Sequence, residues 1–133
     1  MKNKVQNYII GKSLFSKEDK LILGISGGAD SVCLMHLLLE MNYKFELAHC
    51  NFNLRGKESD DEESFVKELA GRYQLELHIK HFDTKSYADE NKISIQMAAR
   101  DLRYAWFYDL LLSENAKYIA IAHHANDDIE TFF

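Results

Sequence analysis

A chain of 133 residues with 47% hydrophobic side chains and a net charge of −5 suits one globular domain, or part of a larger one, and not a disordered segment. The negative balance argues against a nucleic-acid clamp built from this chain alone, while leaving room for local contact with RNA. No apolar run approaches the roughly 20 residues of a bilayer-spanning helix, and the polar N-terminus, MKNKVQNYIIGKSLFSKEDK, is unlike a signal peptide, so no membrane partner is expected. Cys33 and Cys50 form no CxxC pair. That argues against a disulfide framework or a zinc site, and for a reducing, cytoplasmic setting.

In chain order, Val5, Tyr8 and Ile9 suit a short leading helix. Residues 20–25 read as a buried strand. Residues 30–41 read as a helix, with Val32, Met35, Leu38 and Leu39 facing inward. A second strand follows over 44–51. Residues 59–73 form a helix in which Ser59 and Glu62 have the spacing of a capping box, with Phe65, Leu69 and Tyr73 as its inner stripe. The acidic run ESDDEE, 58–63, is a solvated first turn of that helix. A third strand is expected over 75–82, and a long helix over 94–113 with Ile95, Ala99, Leu102, Trp106 and Leu110 on one face. A fourth strand spans 118–123, and Asn126 starts another helix. The chain stops at IETFF inside that helix, so an N-terminal part of a longer protein is expected, with C-terminal domains absent. Alternating strands and helices predict an α/β fold: a doubly wound, mainly parallel sheet with helices on both faces. Ligands in such sheets bind beyond the carboxyl ends of the strands, where strand order reverses. If the fourth strand lies beside the first, SGGADS and HHANDDIET face one crevice.

The stretch SGGADS, 26–31, is loaded for phosphate. Gly27 and Gly28 permit positive φ and close approach of backbone N–H groups. Ser26 and Ser31 add hydroxyls, and the start of the next helix favours an anion. The plainer reading is a tight strand-to-helix turn capped by Asp30 or Ser31. The loop lacks the lysine of the common nucleotide-triphosphate loop, and its aspartate needs an explanation.

All six positions match the SGGxDS signature, so the loop resembles that of the PP-loop ATP pyrophosphatases. The resemblance implies that Ser26, Gly27, Gly28, Ala29, Asp30 and Ser31 hold the phosphates of ATP that leave as pyrophosphate, with Asp30 meeting them through Mg²⁺. Three further segments are similar to those of the tRNA(Ile)-lysidine synthetases: AHCNFNLRGKESDDEESFV (48–66), SIQMAARDLRYAWF (94–107) and IAHHANDDIET (121–131). They arrive in that family's order and cover most of the chain. The resemblance implies adenylation of a wobble cytidine in an isoleucine tRNA with a CAU anticodon. L-Lysine then displaces AMP to form lysidine.

It also implies roles for single residues. Asp127 joins Asp30 near Mg²⁺, or else caps the last helix. His123 and His124 face the nucleotide, or are structural. His49 lies close to the adenosine. Arg100 and Arg103 contact phosphates, the adenylate or tRNA, with a solvated face as the plain alternative. Arg55 contacts RNA or lysine, or is simply exposed. The chain departs from the pattern at three positions: Phe52 replaces a His, Gln96 a carboxylate, and Asp128 a Gln. Two other functions compete: another PP-loop enzyme, such as a tRNA thiolase or nucleotide amidotransferase, and a non-catalytic adenine-nucleotide sensor. Pairing of two copies as a homodimer stays open.

Overall fold

A computed structural model describes residues 20–26, 28–54, 56–122 and 129–132, with the backbone only at 29, 30, 122 and 129–132. Five strands form one sheet: β1 (Leu21–Gly24), β2 (Phe45–Asn51), β3 (Leu77–His81), β4 (Tyr118–Ala122) and β5 (Ile129–Phe132), in the order β3-β2-β1-β4-β5. The first four run parallel, and β5 pairs antiparallel with β4. The helices are α1 (Ala29–Glu40), α2 (Lys57–Arg72), α3 (Thr84–Asn91) and α4 (Ile95–Ser113).

β1 is central because both its faces are apolar. Leu21, Ile22 and Leu23 are each 0% exposed, and burying such a side chain contributes about 1.5–3 kcal/mol. Leu21 and Leu23 join the core under α1 and α2, with Met35, Leu38, Val66 and Leu69. Ile22 joins the opposite core under α4, with Phe107, Leu110 and Ile119. That alternation is the period of two of a strand buried on both faces. The α/β expectation is met, and β4 lies beside β1 with Gly24 opposite Ile121.

Four local expectations are corrected. The segment expected to start a helix at Asn126 is a strand over Ile129–Phe132; Ile, Thr and Phe suit a strand, and β4 has an edge to cover. The second helix begins at Lys57 behind Gly56 at φ 52°, with no side-chain cap, so Ser59 lies inside it and does not cap it. Its buried residues are Val66, Leu69 and Ala70, whereas Phe65 and Tyr73 are 42% and 36% exposed. Tyr73 packs edge-on to His36 of α1 at 5.3 Å and leaves the inner stripe. On α4, Ile95 is likewise exposed, and Ala98, Phe107, Leu110 and Leu111 are buried. The expected leading helix lies outside the described residues. One helix, α3, was not expected; Asp83 caps it, its side chain accepting from the Ser86 backbone N–H at 3.3 Å.

Gly24 ends β1 against α4. A Cβ there would stand 3.0 Å from Phe107 Cζ and 3.3 Å from Ile121 Cγ1. Gly24→Val is therefore expected to lower unfolding stability by about 1–3 kcal/mol through overpacking, read from the urea midpoint.

The amino ends of the strands carry a charged clasp. Lys20 Nζ lies 3.1 Å from Glu46 and 3.7 Å from Glu114, and His78 Nε2 lies 2.8 Å from Glu46. Burial alone would raise the Glu46 carboxyl, but hydrogen bonds with His78, Lys20 and Glu76 outweigh it and hold it below its ordinary value of 4.5. A carboxyl depressed in the folded state stabilises above its unfolded value and loses that contribution as pH falls through the folded one. The urea midpoint is thus expected to drop as pH is lowered below 4.5, and Glu46→Gln to show a shallower drop. An equal drop in the variant would remove Glu46 from the account.

Candidate functional site at the carboxyl edge of the sheet

The chain leaves β1 at Gly24 and enters α1 at Ala29. Between them, side-chain hydroxyls tie the turn together. The Ser26 and Ser31 hydroxyls are 3.2 Å apart, and the Ser26 N–H donates to Ser31 Oγ at 3.3 Å. The Gly28 N–H donates to Ser26 Oγ at 3.2 Å, and Ser31 Oγ donates to the Gly28 carbonyl at 3.0 Å. Ser31 is buried and Ser26 exposed. β2 holds the turn from the other side. The Ile25 N–H donates to the Ala48 carbonyl at 2.8 Å. His49, 2% exposed, donates from Nδ1 to the Ile25 carbonyl at 2.8 Å.

Gly28 is the residue before α1, and no side chain caps that helix. Its first-turn N–H groups and the helix dipole are thus presented to an anion. Gly28 has an ordinary extended backbone at φ −77°, so positive φ is not what a glycine supplies there. A Cβ would meet only Ser26 Oγ at 3.4 Å, a normal contact. A glycine there leaves the space beside the α1 N-terminus free of a side chain. Gly28→Ala is therefore expected to leave the melting temperature nearly unchanged and to weaken ATP binding by about tenfold or more, checked by calorimetry; unaltered affinity would leave the turn without a phosphate role.

Beside the turn lies a cleft of about 340 Å³, lined among others by Ile25, Ser26, Ala48, Phe52, Arg103 and Phe107. Arg103 projects from α4 into it. Its Nε is buried with no hydrogen-bond partner among the described residues. Arg100, one turn earlier, is exposed, with its guanidinium 4.9 Å from the Tyr104 ring centre. The Arg103 guanidinium lies 5.4 Å from the same ring centre, so the two arginines differ in exposure and in which of them lines the cleft, not in that contact. Cys50 also lines the cleft. Burial pushes its thiol up to about 12, although the nearby Arg103 charge opposes this.

A second pocket, of about 440 Å³, opens between the end of β2 and the start of α2. It shares Cys50 and Phe52 with the first and is lined also by His49, Asn51, Leu54, Ser59 and Glu62. His49, assigned to the nucleotide from sequence, lines this second pocket and not the first. Sequence reading missed the pocket altogether. Asn51 is 2% exposed; its carbonyl oxygen accepts from the Asn53 N–H at 3.0 Å, and its amide reaches Glu63 at 3.3 Å. The Phe52 ring stacks on Phe82, 5.4 Å between centres and 20° between planes. Thr84 Oγ1 donates to the Phe52 carbonyl at 2.7 Å. Of the remaining expected site residues, Ala29 and Asp30 stand by backbone in the first turn of α1. Gly27, Arg55, His123, His124 and Asp127 lie outside the described residues.

A parallel sheet whose central strand feeds a glycine turn and an uncapped helix, beside a neighbouring strand reached by crossover, defines an α/β nucleotide-binding type of fold. The chain belongs to the PP-loop domain family, which matches residues 1–133. It is 48% identical over 131 residues to the tRNA(Ile)-lysidine synthase of Bacteroides thetaiotaomicron, covering 98% of this chain and 31% of that one. It is 48% identical to the enzyme of that name from Porphyromonas gingivalis (97% and 29% covered) and 38% identical to that of Clostridium acetobutylicum (98% and 29%). The chain therefore spans only about 30% of the length of these relatives. Among solved structures, the NH3-dependent NAD synthetase of Campylobacter jejuni, in complex with nitrate, superposes with a TM-score of 0.64 at 19% identity, covering 89% of this chain and 53% of that one. That likeness concerns the fold. No helix among the described residues is long and apolar enough to cross a membrane.

Proposed function

We propose that this chain is the ATP-binding part of a cytoplasmic enzyme that ligates L-lysine to the wobble cytidine of a CAU-anticodon isoleucine tRNA. The supporting observation is the SGGADS turn, with the uncapped α1 N-terminus on one side and Arg103 on the other. The relatives named as tRNA(Ile)-lysidine synthase supply the acceptor. In the first step the cytosine carbonyl oxygen bonds to the α-phosphorus of ATP, and pyrophosphate departs. In the second the lysine ε-nitrogen bonds to the ring carbon, the carbon–oxygen bond breaks, AMP leaves and the amine gives up a proton. The turn's N–H groups and hydroxyls hold the departing pyrophosphate, and Arg103 faces the transferring phosphoryl group.

A hard divalent cation fits this donor set. The turn offers hydroxyl oxygens, and Asp30 belongs by its backbone to the first turn of α1. Asp30 and Asp127 would hold Mg²⁺, which when bound would offset the charge of the leaving pyrophosphate. A thiolase reading is disfavoured by Cys50, whose buried thiol stays protonated at neutral pH. Pairing of two copies is compatible with this reading and is decided by sedimentation. The test of function is release of AMP and pyrophosphate from ATP by the complete enzyme, dependent on both lysine and the CAU tRNA. Release with any tRNA, or with none, would refute the proposal.

A further inference from the structure

The proposed reaction needs a base brought out of an anticodon loop and set beside the α-phosphate. Enzymes that act on an extruded base stack it on aromatic or apolar side chains and read its pairing edge with hydrogen bonds. Two adjoining spaces are available here, and they differ in character. The first is walled mainly by Gly24, Ile25, Ala48, Phe107 and Ile121 and is contiguous with the phosphate turn. An apolar slot there suits the adenosine of the nucleotide. The second lies across Cys50 and Phe52 and mixes apolar surface with more polar groups than the first.

Phe52 forms the partition. One side of its ring is occupied by the stack on Phe82, and its backbone is pinned by Thr84. It is thus a rigid flat surface lining both spaces. His49 sits in the wall of the second pocket at 2% exposure. A carbonyl oxygen can only accept, so the His49 Nδ1 must donate to Ile25. In the neutral ring Nε2 then keeps a lone pair and asks for an N–H donor. Leu54 adds apolar surface, and Ser59 and Glu62 add polar groups to the lining. A flat ligand bearing an amino group answers both requirements. A lysine ammonium would answer only the second.

We propose that the second pocket seats the acceptor cytosine, stacked on Phe52 and donating its exocyclic amine to His49 Nε2. This rests on the base-modifying function proposed above. It makes Phe52 and His49 recognition residues, and it sets the base one side chain away from the nucleotide cleft. Uracil, which carries a carbonyl where cytosine carries the amine, would face the His49 lone pair with another acceptor.

The experiment titrates cytidine, uridine, adenosine and L-lysine separately into the complete enzyme carrying ¹⁵N-labelled histidine, and follows the His49 ring nitrogens. Cytidine is expected to move Nε2 and the other three to leave it unmoved. Phe52→Ala, and Phe52→Leu as the variant that better keeps the packing, are expected to weaken cytidine binding roughly 5- to 150-fold, the range that loss of one stacked base spans. In turnover both should raise KM for tRNA by a larger factor than KM for ATP, because Phe52 also borders the nucleotide cleft. An equal response to uridine, a response to lysine or adenosine instead of cytidine, or no response to cytidine up to its solubility would each overturn the assignment. If the wild-type enzyme released no pyrophosphate with tRNA, the proposed function would fall, while the nucleoside titration would still decide what the pocket holds.

Discussion

Arg103→Ala is expected to lower tRNA-dependent pyrophosphate release by about 10²–10³-fold while leaving the protein at least as stable as before. The loss follows from removing a preorganised cationic donor aimed at developing charge, whose deletion typically has that effect. The stability follows from the same residue's present cost. Its Nε is buried without a partner among the described residues, and a buried donor left unsatisfied costs about 1–3 kcal/mol. A purely structural arginine would behave in the opposite way, losing stability before activity. Arg103→Lys should restore little, because one ammonium cannot reproduce a planar fork of donors. Arg100→Ala is the control: both guanidiniums lie near the Tyr104 ring, but Arg100 is exposed and does not line the cleft, and its loss should cost far less in the adenylation step. Thermal unfolding and pyrophosphate release measured on the same preparations decide the matter. Full activity in Arg103→Ala would remove the arginine from the site.

The second large effect is expected at Asp30. Asp30→Asn keeps the size of the side chain in the first turn of α1 and removes its charge. The helix there loses a favourable dipole interaction of about 0.3–1 kcal/mol, so folding should persist with an unchanged circular dichroism spectrum. Turnover should fall by more than about a hundredfold, since even groups that merely support a metal ligand cost 10–100-fold when removed. Chelation of divalent ions should have a comparable effect on the wild type and little further effect on the variant. A variant that still forms adenylate at the wild-type rate would take Asp30 out of the metal assignment and leave it as a first-turn residue favoured by the helix dipole.

Much of the scaffold could be read from the chain because its signals are large. β1 is apolar on both faces, which is what a central parallel strand requires. The placement of β4 beside β1 stood in the sequence only as a condition for the two loops to share one crevice, and the pairing of Gly24 with Ile121 meets that condition. What could not be read depended on forces with little sequence signature. α3, TKSYADEN, buries only Thr84 and Ala88, too few apolar positions to show a period. The stripe on α2 is not legible because an aromatic at helical spacing reads as core, whereas Tyr73 packs its ring on His36. Arg100 and Arg103 carry the same charge three positions apart, and only the packing of α4 decides which enters the cleft. The second pocket was hidden for a simpler reason. Its key acceptor exists because a backbone carbonyl, that of Ile25, claims the other nitrogen of His49, and any residue at 25 would present that carbonyl.

The two cores separated by the sheet have a consequence for how errors spread. The phosphate turn leads into α1, anchored in one core, whereas Arg103 rides on α4, anchored in the other. The two halves of the site are therefore aligned through the sheet, whose strands β1, β2 and β4 each contribute residues to both cores. A small repacking in either core, far from any ligand, would shift one half of the site against the other. Catalytic rate in this domain should consequently serve as a sensitive gauge of interior order. Conservative core substitutions on opposite faces of the sheet, each mild alone, would then misalign the site in ways that need not add and would sometimes compensate.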